Sequence, residues 1–122
     1  MAKILVVDDE SSIRQMISMV LTMQGHTVIE ADNGVDALDM VKTQYPKLII
    51  SDVMMSNMNG FMLREILQQD QFTARIPMIM MTGHAVTAGA WESDPDIDYL
   101  KKPFDIPELI EKVNKLIQKP VE

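Results

Sequence analysis

The stretch KLIISD at residues 47–52 decides the fold. Its three consecutive apolar residues, two of them β-branched, predict a buried strand. Asp52 stands where that strand is expected to end, before a loop rich in turn residues at 54–60. Because an unpaired carboxylate is costly to bury, we expect the Asp52 side chain to reach water, a cation or a hydrogen-bonded site at a mouth.

Four further stretches have the character of strands. KILVV at 3–7 and PMIMM at 77–81 are apolar without polar alternation, which is typical of strands in a parallel sheet that is covered on both faces. TVIE at 27–30 and IDYL at 97–100 carry charged residues. We therefore expect the first, third and fourth strands in the centre of the sheet and the second and fifth at its edges.

Apolar residues recur at helical spacing between these strands. They predict helices around 13–21, 35–41, 61–67 and 109–117, with a weaker one at 85–91, where Gly89 interrupts the pattern. Ser11 or Ser12 is a candidate cap for the first helix, and Val35 and Met62 are expected to face the core. The alternation of strands and helices predicts an α/β fold with a parallel sheet and right-handed crossovers.

Composition narrows the functional classes. The 122 residues suffice for one domain, and the net charge of −7 argues against nucleic acid as a direct partner, since phosphate contacts need clustered basic residues. The chain has no cysteine, which excludes disulfide and thiol chemistry. The first apolar run ends at Asp8, too early for a signal peptide or a membrane span, so we expect a cytoplasmic location and no membrane partner.

Polar side chains follow the expected ends of four strands. Asp8 and Asp9 follow the first strand, Asp52 ends the third, Thr82 ends the fourth, and Lys101-Lys102 follows the fifth. Ligands of open α/β sheets bind outside the carboxyl ends of the strands. If the first, third, fourth and fifth strands are neighbours in that order, one pocket holds three carboxylates, a hydroxyl and an ammonium.

This set of groups has a chemical logic. Carboxylates within a few ångströms repel one another unless a cation is present, and Mg²⁺ binds carboxylates together with water and phosphate oxygens. A carboxylate held in this way can attack phosphorus and form an aspartyl phosphate. Lys102 would neutralise charge on the phosphoryl oxygens, and Thr82 would donate a hydrogen bond to one of them. We therefore predict that Asp52 accepts a phosphoryl group.

The chain resembles the receiver domains of bacterial response regulators, the CheY-like family, over essentially all of residues 1–122. The residues that carry the resemblance are ILVVDDE at 4–10, SDVMM at 51–55, NG at 59–60, MTG at 81–83 and YLKKPF at 99–104. The resemblance implies a single receiver domain of flavodoxin-like fold, without an effector domain. Its doubly wound, five-stranded parallel sheet would have the order 2-1-3-4-5 and helices on both faces.

The resemblance also implies roles for the residues of the site. Asp52 would accept the phosphoryl group of a phosphohistidine on a sensor histidine kinase or phosphotransfer protein. Mg²⁺ would bind Asp9, Asp52 and the backbone carbonyl of Met54, with Asp8 assisting through water. Lys102 would contact the phosphoryl oxygens together with Thr82, and the Lys102-Pro103 peptide bond would be cis.

The implied readout is a change of protein-binding surface. Thr82 would move toward the phosphoryl group and Tyr99 would rotate inward, which would remodel the surface formed by the helix expected at 85–91, the fifth strand and the last helix. A downstream protein would bind that surface, and the domain itself would be a monomer or a weak dimer. Met54 and His84 occupy positions that tune phosphoryl lifetime in the family. Neither is expected to activate water strongly, so the resemblance implies slow self-dephosphorylation and not turnover catalysis.

The sequence departs from the family pattern in two further places. Ser56 stands where the family usually has proline, and Thr82 and Lys102 are only twenty positions apart, which is shorter than usual. The segment 92–96, ESDPD, replaces the small residues that normally precede the fifth strand. The last two of these differences fall in the segment 84–98, where part of the readout surface is expected.

Three alternative functions remain open at this point. A degenerate receiver could act as a constitutive docking module. A hydrolase of the haloacid-dehalogenase kind also uses Asp, Thr, Lys and Mg²⁺, but it needs two acids two positions apart, and Asp8 is followed by Asp9-Glu10-Ser11. A flavin-binding protein is disfavoured, because the acidic loop after the first strand would repel a phosphate that lacks a metal.

Overall fold

The structure, a computed structural model, describes residues 2–55, 58–83 and 96–118, and these form five strands and four helices. The elements in chain order are β1 (Lys3–Val7), α1 (Ser11–Met23), β2 (Thr27–Ala31), α2 (Gly34–Gln44), β3 (Leu48–Asp52), α3 (Gly60–Gln68), β4 (Met78–Thr82), β5 (Ile97–Lys101) and α4 (Ile106–Ile117).

The five strands form one parallel sheet with the order β2-β1-β3-β4-β5. Both the α/β class and this strand order confirm the expectation from the sequence. The predominantly apolar strands β1, β3 and β4 are central, and the charged strands β2 and β5 are the edges, as their composition predicted. Strands buried on both faces need apolar residues throughout, whereas an edge strand tolerates charges that face solvent.

Two hydrophobic clusters cover the two faces of the sheet. Successive residues of a strand point to opposite faces, so Ile4 and Val6 enter one cluster while Leu5 and Val7 enter the other. The first cluster includes side chains of α1 and α4, and the second includes side chains of α2 and α3. Helices therefore lie on both sides of the sheet, and their packing holds the carboxyl ends of the strands in one place.

Three local predictions are wrong. Val35 is 55% exposed and Met62 is 46% exposed, because α2 turns Gly34, Ala37 and Val41 toward the sheet and α3 buries Leu63 and Leu67. Val41, Leu63 and Leu67 are buried as predicted, so only one side of each expected stripe is misplaced. The expected serine cap is absent from α1 as well, since the helix already includes Ser11 and its N-cap is Glu10, without a side-chain capping bond.

The peptide bond between Lys102 and Pro103 is cis, as the family resemblance implied. The helix predicted at 85–91 lies outside the described residues, and so does His84. Among the helices of the described ranges, none combines the length and the apolar character that crossing a membrane requires.

Candidate functional site

The register of the sheet brings the polar residues at the strand ends to one edge. Val7 pairs with Ser51, Asp52 with Met81, and Thr82 with Lys101. The hydrogen bonds continue past the strand ends, because the N–H of Lys102 donates to the Thr82 carbonyl at 2.7 Å. The ends of β1, β3 and β5 therefore bring Asp8, Asp52 and Lys102 into contact, and Thr82 ends β4 beside Lys101.

Asp52 is the last residue of β3 and is only 8% exposed. Its Oδ2 lies 3.2 Å from Nζ of Lys102, and its Oδ1 accepts a long hydrogen bond of 3.4 Å from the N–H of Met54. Ser51 Oγ donates to the carbonyl oxygen of Asp52 at 3.0 Å. The carboxylate thus meets the hydrogen-bonded site that the sequence required, and it is less exposed than a residue at a wide mouth would be.

Lys102 joins two carboxylates that come from different strands. Its Nζ lies 3.1 Å from Asp8 Oδ2 and 3.2 Å from Asp52 Oδ2. Both distances fall at the long end of the ordinary range of N–H···O hydrogen bonds, and both join a cation to a carboxylate. The lysine side chain keeps some contact with solvent, whereas Asp8 is fully buried. One ammonium therefore compensates part of the negative charge of the two acids.

Asp8 is held by contacts on both of its carboxylate oxygens. Oδ1 accepts the N–H of Glu10 at 2.9 Å, and Oδ2 contacts Lys102. The backbone carbonyl of Asp8 accepts a 2.7 Å hydrogen bond from Nη1 of Arg14, whose Nε pairs with Glu30 at 2.9 Å. Arg14 therefore fixes the loop that carries the acids. Arg14 was not predicted as a site residue, although a basic residue one turn into the helix after Asp8-Asp9 is visible in the sequence.

Asp9 completes an acidic group with Asp8 and Asp52. Each of the three offers a carboxylate oxygen, and these oxygens lie within 4.8 Å of one another. Asp9 is exposed, so the group opens to solvent on its side. Hard oxygen donors at this separation suit Mg²⁺, which takes carboxylates together with water. The residues present therefore fit the magnesium ion that the sequence predicted.

The charge state of the site reflects burial and crowding. Burial raises the pKa of the Asp52 carboxyl above its ordinary value; the Lys102 ammonium opposes this increase, and the charge of Asp8 adds to it. Burial by itself would lower the pKa of Lys102, but its hydrogen bonds and charge interactions with Asp8 and Asp52 raise it overall. The lysine therefore stays protonated, while the cost of ionising Asp52 is only partly compensated.

Gly60 supports Asp52 from behind and was overlooked as a packing residue. A Cβ atom at Gly60 would lie 2.9 Å from Sδ of Met80 and 3.0 Å from the carbonyl oxygen of Asp52. The N–H of Gly60 also donates to the Val53 carbonyl at 3.1 Å. The start of α3 can approach the end of β3 this closely because residue 60 has no side chain.

Three further predicted residues lie on β4, on β5 and in the loop after β3. Thr82 is the partly buried last residue of β4, and Met54 is exposed just after Asp52. Tyr99 pairs with Met80 across β4 and β5 and packs against the second hydrophobic cluster, below the acidic group. Thr82 and Tyr99 lie on the same face of adjacent strands, because Thr82 is two residues beyond Met80. His84 is outside the described residues.

Comparisons with known proteins agree on one family. The family model described as response regulator receiver domain matches residues 4–114. The chain is 32% identical to Protein PilH of Pseudomonas aeruginosa over 119 residues, which is 96% of this chain and 98% of that protein. It is 33% identical to the DNA-binding dual master transcriptional regulator RpaA of Synechocystis over 122 residues, which is 98% of this chain and 50% of RpaA. The chain thus spans about half the length of RpaA and of several other transcriptional regulators that it matches, and 24% of NtrC of Klebsiella pneumoniae.

A solved structure is similar over almost the whole fold. The chemotaxis response regulator CheY4 of Vibrio cholerae superimposes with a TM-score of 0.87 at 32% sequence identity, covering 95% of this chain and 98% of that one. The similarity therefore includes the sheet and the helices on both of its faces.

Proposed function

This chain belongs to the response regulator receiver domain family, and from that premise we propose that it is a phosphorylation-dependent signalling module. Asp52 accepts the phosphoryl group, and the donor is a sensor histidine kinase or a phosphotransfer protein. The observation that carries the proposal is the contact of one ammonium, on Lys102, with the carboxylates of both Asp8 and Asp52. A cation at this place stabilises negative charge that develops beside Asp52.

The proposed step is a direct transfer. A carboxylate oxygen of Asp52 forms a bond to phosphorus while the bond between phosphorus and the donor's imidazole nitrogen breaks. The electron pair of the broken bond stays on the imidazole nitrogen. Lys102 and Thr82 hold the phosphoryl oxygens through hydrogen bonds, so the charge is compensated as it moves. Partial burial of Asp52 limits the access of water to the reacting carboxylate.

The ligands proposed for Mg²⁺ are Asp9, Asp52 and the backbone carbonyl of Met54, with Asp8 assisting through water. Their support is the cluster of three carboxylate oxygens within 4.8 Å. When bound, Mg²⁺ would offset charge repulsion between the carboxylates and the incoming phosphoryl oxygens. Asp8, whose two oxygens are already engaged by Glu10 and Lys102, is the least available of the three acids for direct ligation.

The proposed switch links the site to a protein-binding surface through Thr82 and Tyr99. Their side chains lie on one face of adjacent strands, so a shift of Thr82 toward the phosphoryl group changes the space above Tyr99. The response is a population shift between two arrangements of that surface. Output then passes through contact with a downstream protein.

We also propose that the phosphorylated form loses its phosphoryl group slowly and that the protein is not a turnover enzyme. The relatives it matches are named as regulators. Exposed Met54 has a thioether, which cannot act as a base toward water. His84, the second position expected to tune the lifetime, lies outside the described residues. A lifetime of only seconds for the aspartyl phosphate would contradict this part of the proposal.

The proposal also covers domain organisation, oligomeric state, location and contact with nucleic acid. Residues 1–122 act as one receiver domain, a monomer or weak dimer in the cytoplasm, without direct contact to nucleic acid. The last point concerns this domain alone, because relatives such as RpaA are named as DNA-binding proteins and the chain spans half of their length.

Intact-mass measurement tests the proposal. The protein is incubated with acetyl phosphate and Mg²⁺, and we expect a single phosphoryl adduct that is absent from the variant Asp52→Asn. Failure of the wild type to form an adduct would favour a constitutive docking module. Steady hydrolysis of phosphate esters would instead favour a hydrolase.

A further inference from the structure

A second groove lies at the end of the sheet opposite Asp52. It has a volume of about 350 Å³ and is formed by the connections that precede β3 and β4. Leu48 begins β3 at this end and Asp52 ends it at the other, so the groove is roughly 13 Å from the phosphoryl site along the strand. The groove is a separate surface, and its role does not rest on the proposed phosphoryl transfer.

Two aromatic rings are presented to solvent in this groove. Tyr45 is 57% exposed and Phe72 is 69% exposed. Across residues 2–55, 58–83 and 96–118 no other aromatic side chain is classed as exposed, and both of these line the same groove. Aromatic residues are enriched at the centres of protein interfaces, where a large ring gives much contact area for little loss of conformational freedom.

The backbone at Tyr45 is unusual for an aromatic residue. Tyr45 ends α2 in the left-handed conformation, with φ 46° and ψ 65°, where glycine or asparagine is the normal choice. Its N–H donates to the Val41 carbonyl at 3.0 Å, and buried Pro46 follows it. A bulky residue in this region is a genuine outlier, and such outliers cluster at ligand-binding positions.

The charged side chains that line the groove are both basic. Lys47 and Arg75 are exposed, and no carboxylate is among the described residues of the lining. Nε of Arg75 forms an ion pair with Asp96 Oδ2 at 3.7 Å, longer than a hydrogen bond, so Asp96 balances part of the charge while the arginine side chain stays 58% exposed. In a chain with net charge −7, two cations beside two exposed rings are a distinct local environment. The nearby carboxyl end of α2 offsets only about half of one positive charge.

We propose that this groove docks an acidic peptide segment of a partner protein, with an aromatic or other apolar side chain set between its carboxylates. The apolar side chain packs on Tyr45 and Phe72, and the carboxylates pair with Lys47 and Arg75. A basic peptide is repelled by the two cations. A nucleotide is disfavoured, since none of the lining residues is a glycine and phosphate-binding loops depend on glycine.

The test uses the full chain labelled with ¹⁵N and two designed peptides. The first is the acetylated amide DEFDEF, and the second, KRFKRF, keeps the phenylalanines and reverses the charges. We expect DEFDEF to shift the amide signals of residues 45–47 and 71–77 and to bind roughly tenfold more tightly than KRFKRF. Raised salt should weaken the binding, because its specificity is electrostatic.

Two variants and one control locate the contact. Tyr45→Gly removes the ring and suits the left-handed backbone, so the fold should persist while binding of DEFDEF weakens roughly tenfold. Lys47→Glu should weaken it to a similar extent. Lys115→Glu makes the same charge change on an exposed residue of α4, away from the groove, and should leave binding unchanged.

Several results would overturn the proposal. Equal binding of the two peptides would remove the role of charge, and normal binding by Tyr45→Gly would remove the role of the ring. Shifts of the same amides that depend on protein concentration without peptide would assign the groove to a second copy of the chain. Shifts caused by ATP but not by DEFDEF would assign it to a nucleotide.

Discussion

Lys102 reaches across a whole strand to contact Asp52. Asp52 ends β3, Lys102 follows β5, and β4 lies between these strands, yet Nζ of Lys102 and Oδ2 of Asp52 are 3.2 Å apart. The same ammonium is 3.1 Å from Asp8 at the end of β1. One lysine after β5 therefore contacts carboxylates at the ends of both β3 and β1, and the charge balance of the site depends on it.

Replacing this lysine should destabilise the protein when no divalent cation is present. Lys102→Met leaves buried Asp8 without its cationic partner, and we expect the free energy of unfolding to fall by about 1–3 kcal/mol. Mg²⁺ should restore part of the loss, because a bound dication takes over the charge compensation. Urea denaturation with EDTA and with Mg²⁺ measures both effects.

The neighbouring lysine provides a matched control. Lys101→Met removes the same charge from an exposed side chain, and its unfolding free energy should stay within about 0.5 kcal/mol of the wild type. Equal effects of the two substitutions would show that the contact of Lys102 with the acids contributes nothing to stability.

The raised pKa of Asp52 predicts a pH dependence of stability. A carboxyl group with a higher pKa in the folded state binds its proton more tightly when folded, so its contribution is present at low pH and is lost as pH rises through the folded pKa. In EDTA, Asp52→Asn should therefore be as stable as the wild type near pH 4 and more stable at pH 7.5. Urea denaturation at both pH values and constant low ionic strength checks this, and a variant that is less stable at pH 7.5 would refute it.

Loss of Asp9 should weaken Mg²⁺ binding with little effect on the metal-free fold. Asp9 is exposed and contributes an oxygen to the acidic group, so Asp9→Asn should reduce the affinity at least tenfold. Saturation at one hundred times Kd should stabilise the wild type by about 2.7 kcal/mol. Thermal unfolding across a Mg²⁺ titration measures both quantities.

Asp39→Asn is the control for this titration, because it removes the same charge from an exposed position on α2 that is not part of the acidic group. We expect Mg²⁺ to stabilise Asp39→Asn as much as it stabilises the wild type. A response that falls equally in both variants would mean that Mg²⁺ acts through overall charge.

A methyl group at Gly60 should disturb Asp52 through packing. The added Cβ meets the carbonyl oxygen of Asp52 at 3.0 Å, so we expect Gly60→Ala to cost about 1–2 kcal/mol after the gain in helix propensity is subtracted. Gly83→Ala is the matched control, because no described atom lies within 4 Å of its Cβ. Equal stability of the two variants would contradict the close packing inferred at Gly60.

The fold was accessible from sequence because burial dictates composition. Strands covered on both faces are mostly apolar, so the residues alone predicted which strands are central and which lie at the edges of the sheet. Helix orientation was less accessible: Val35 and Met62 adjoin the buried stripes, and a shift of one residue turns a helical side chain by about 100°, enough to move it from the stripe to its exposed side. Gly60 was overlooked because its contact with the Asp52 backbone is set by tertiary packing that no local pattern encodes, whereas Arg14 lies only six residues from Asp8 and its contact with the Asp8 carbonyl was open to prediction.

The candidate site was predictable for a related reason. In a parallel sheet all carboxyl ends meet at one edge, so Asp8, Asp52 and Lys102 could be placed together once the strands were known. The sequence could not show that Lys102 contacts both acids at once. Whether its side chain reaches them depends on the register of β5 relative to the other strands.

Chemical trapping identifies the residue that accepts the phosphoryl group. Sodium borohydride reduces an aspartyl phosphate to homoserine. The protein is first incubated with acetyl phosphate and then with borohydride, and peptide sequencing by mass spectrometry locates the homoserine. If Asp52 accepts the phosphoryl group, homoserine appears at position 52 alone, and it forms only when Mg²⁺ was present. Homoserine at Asp8 or Asp9 in place of Asp52, or at no position in a protein that carries the adduct, would contradict this assignment.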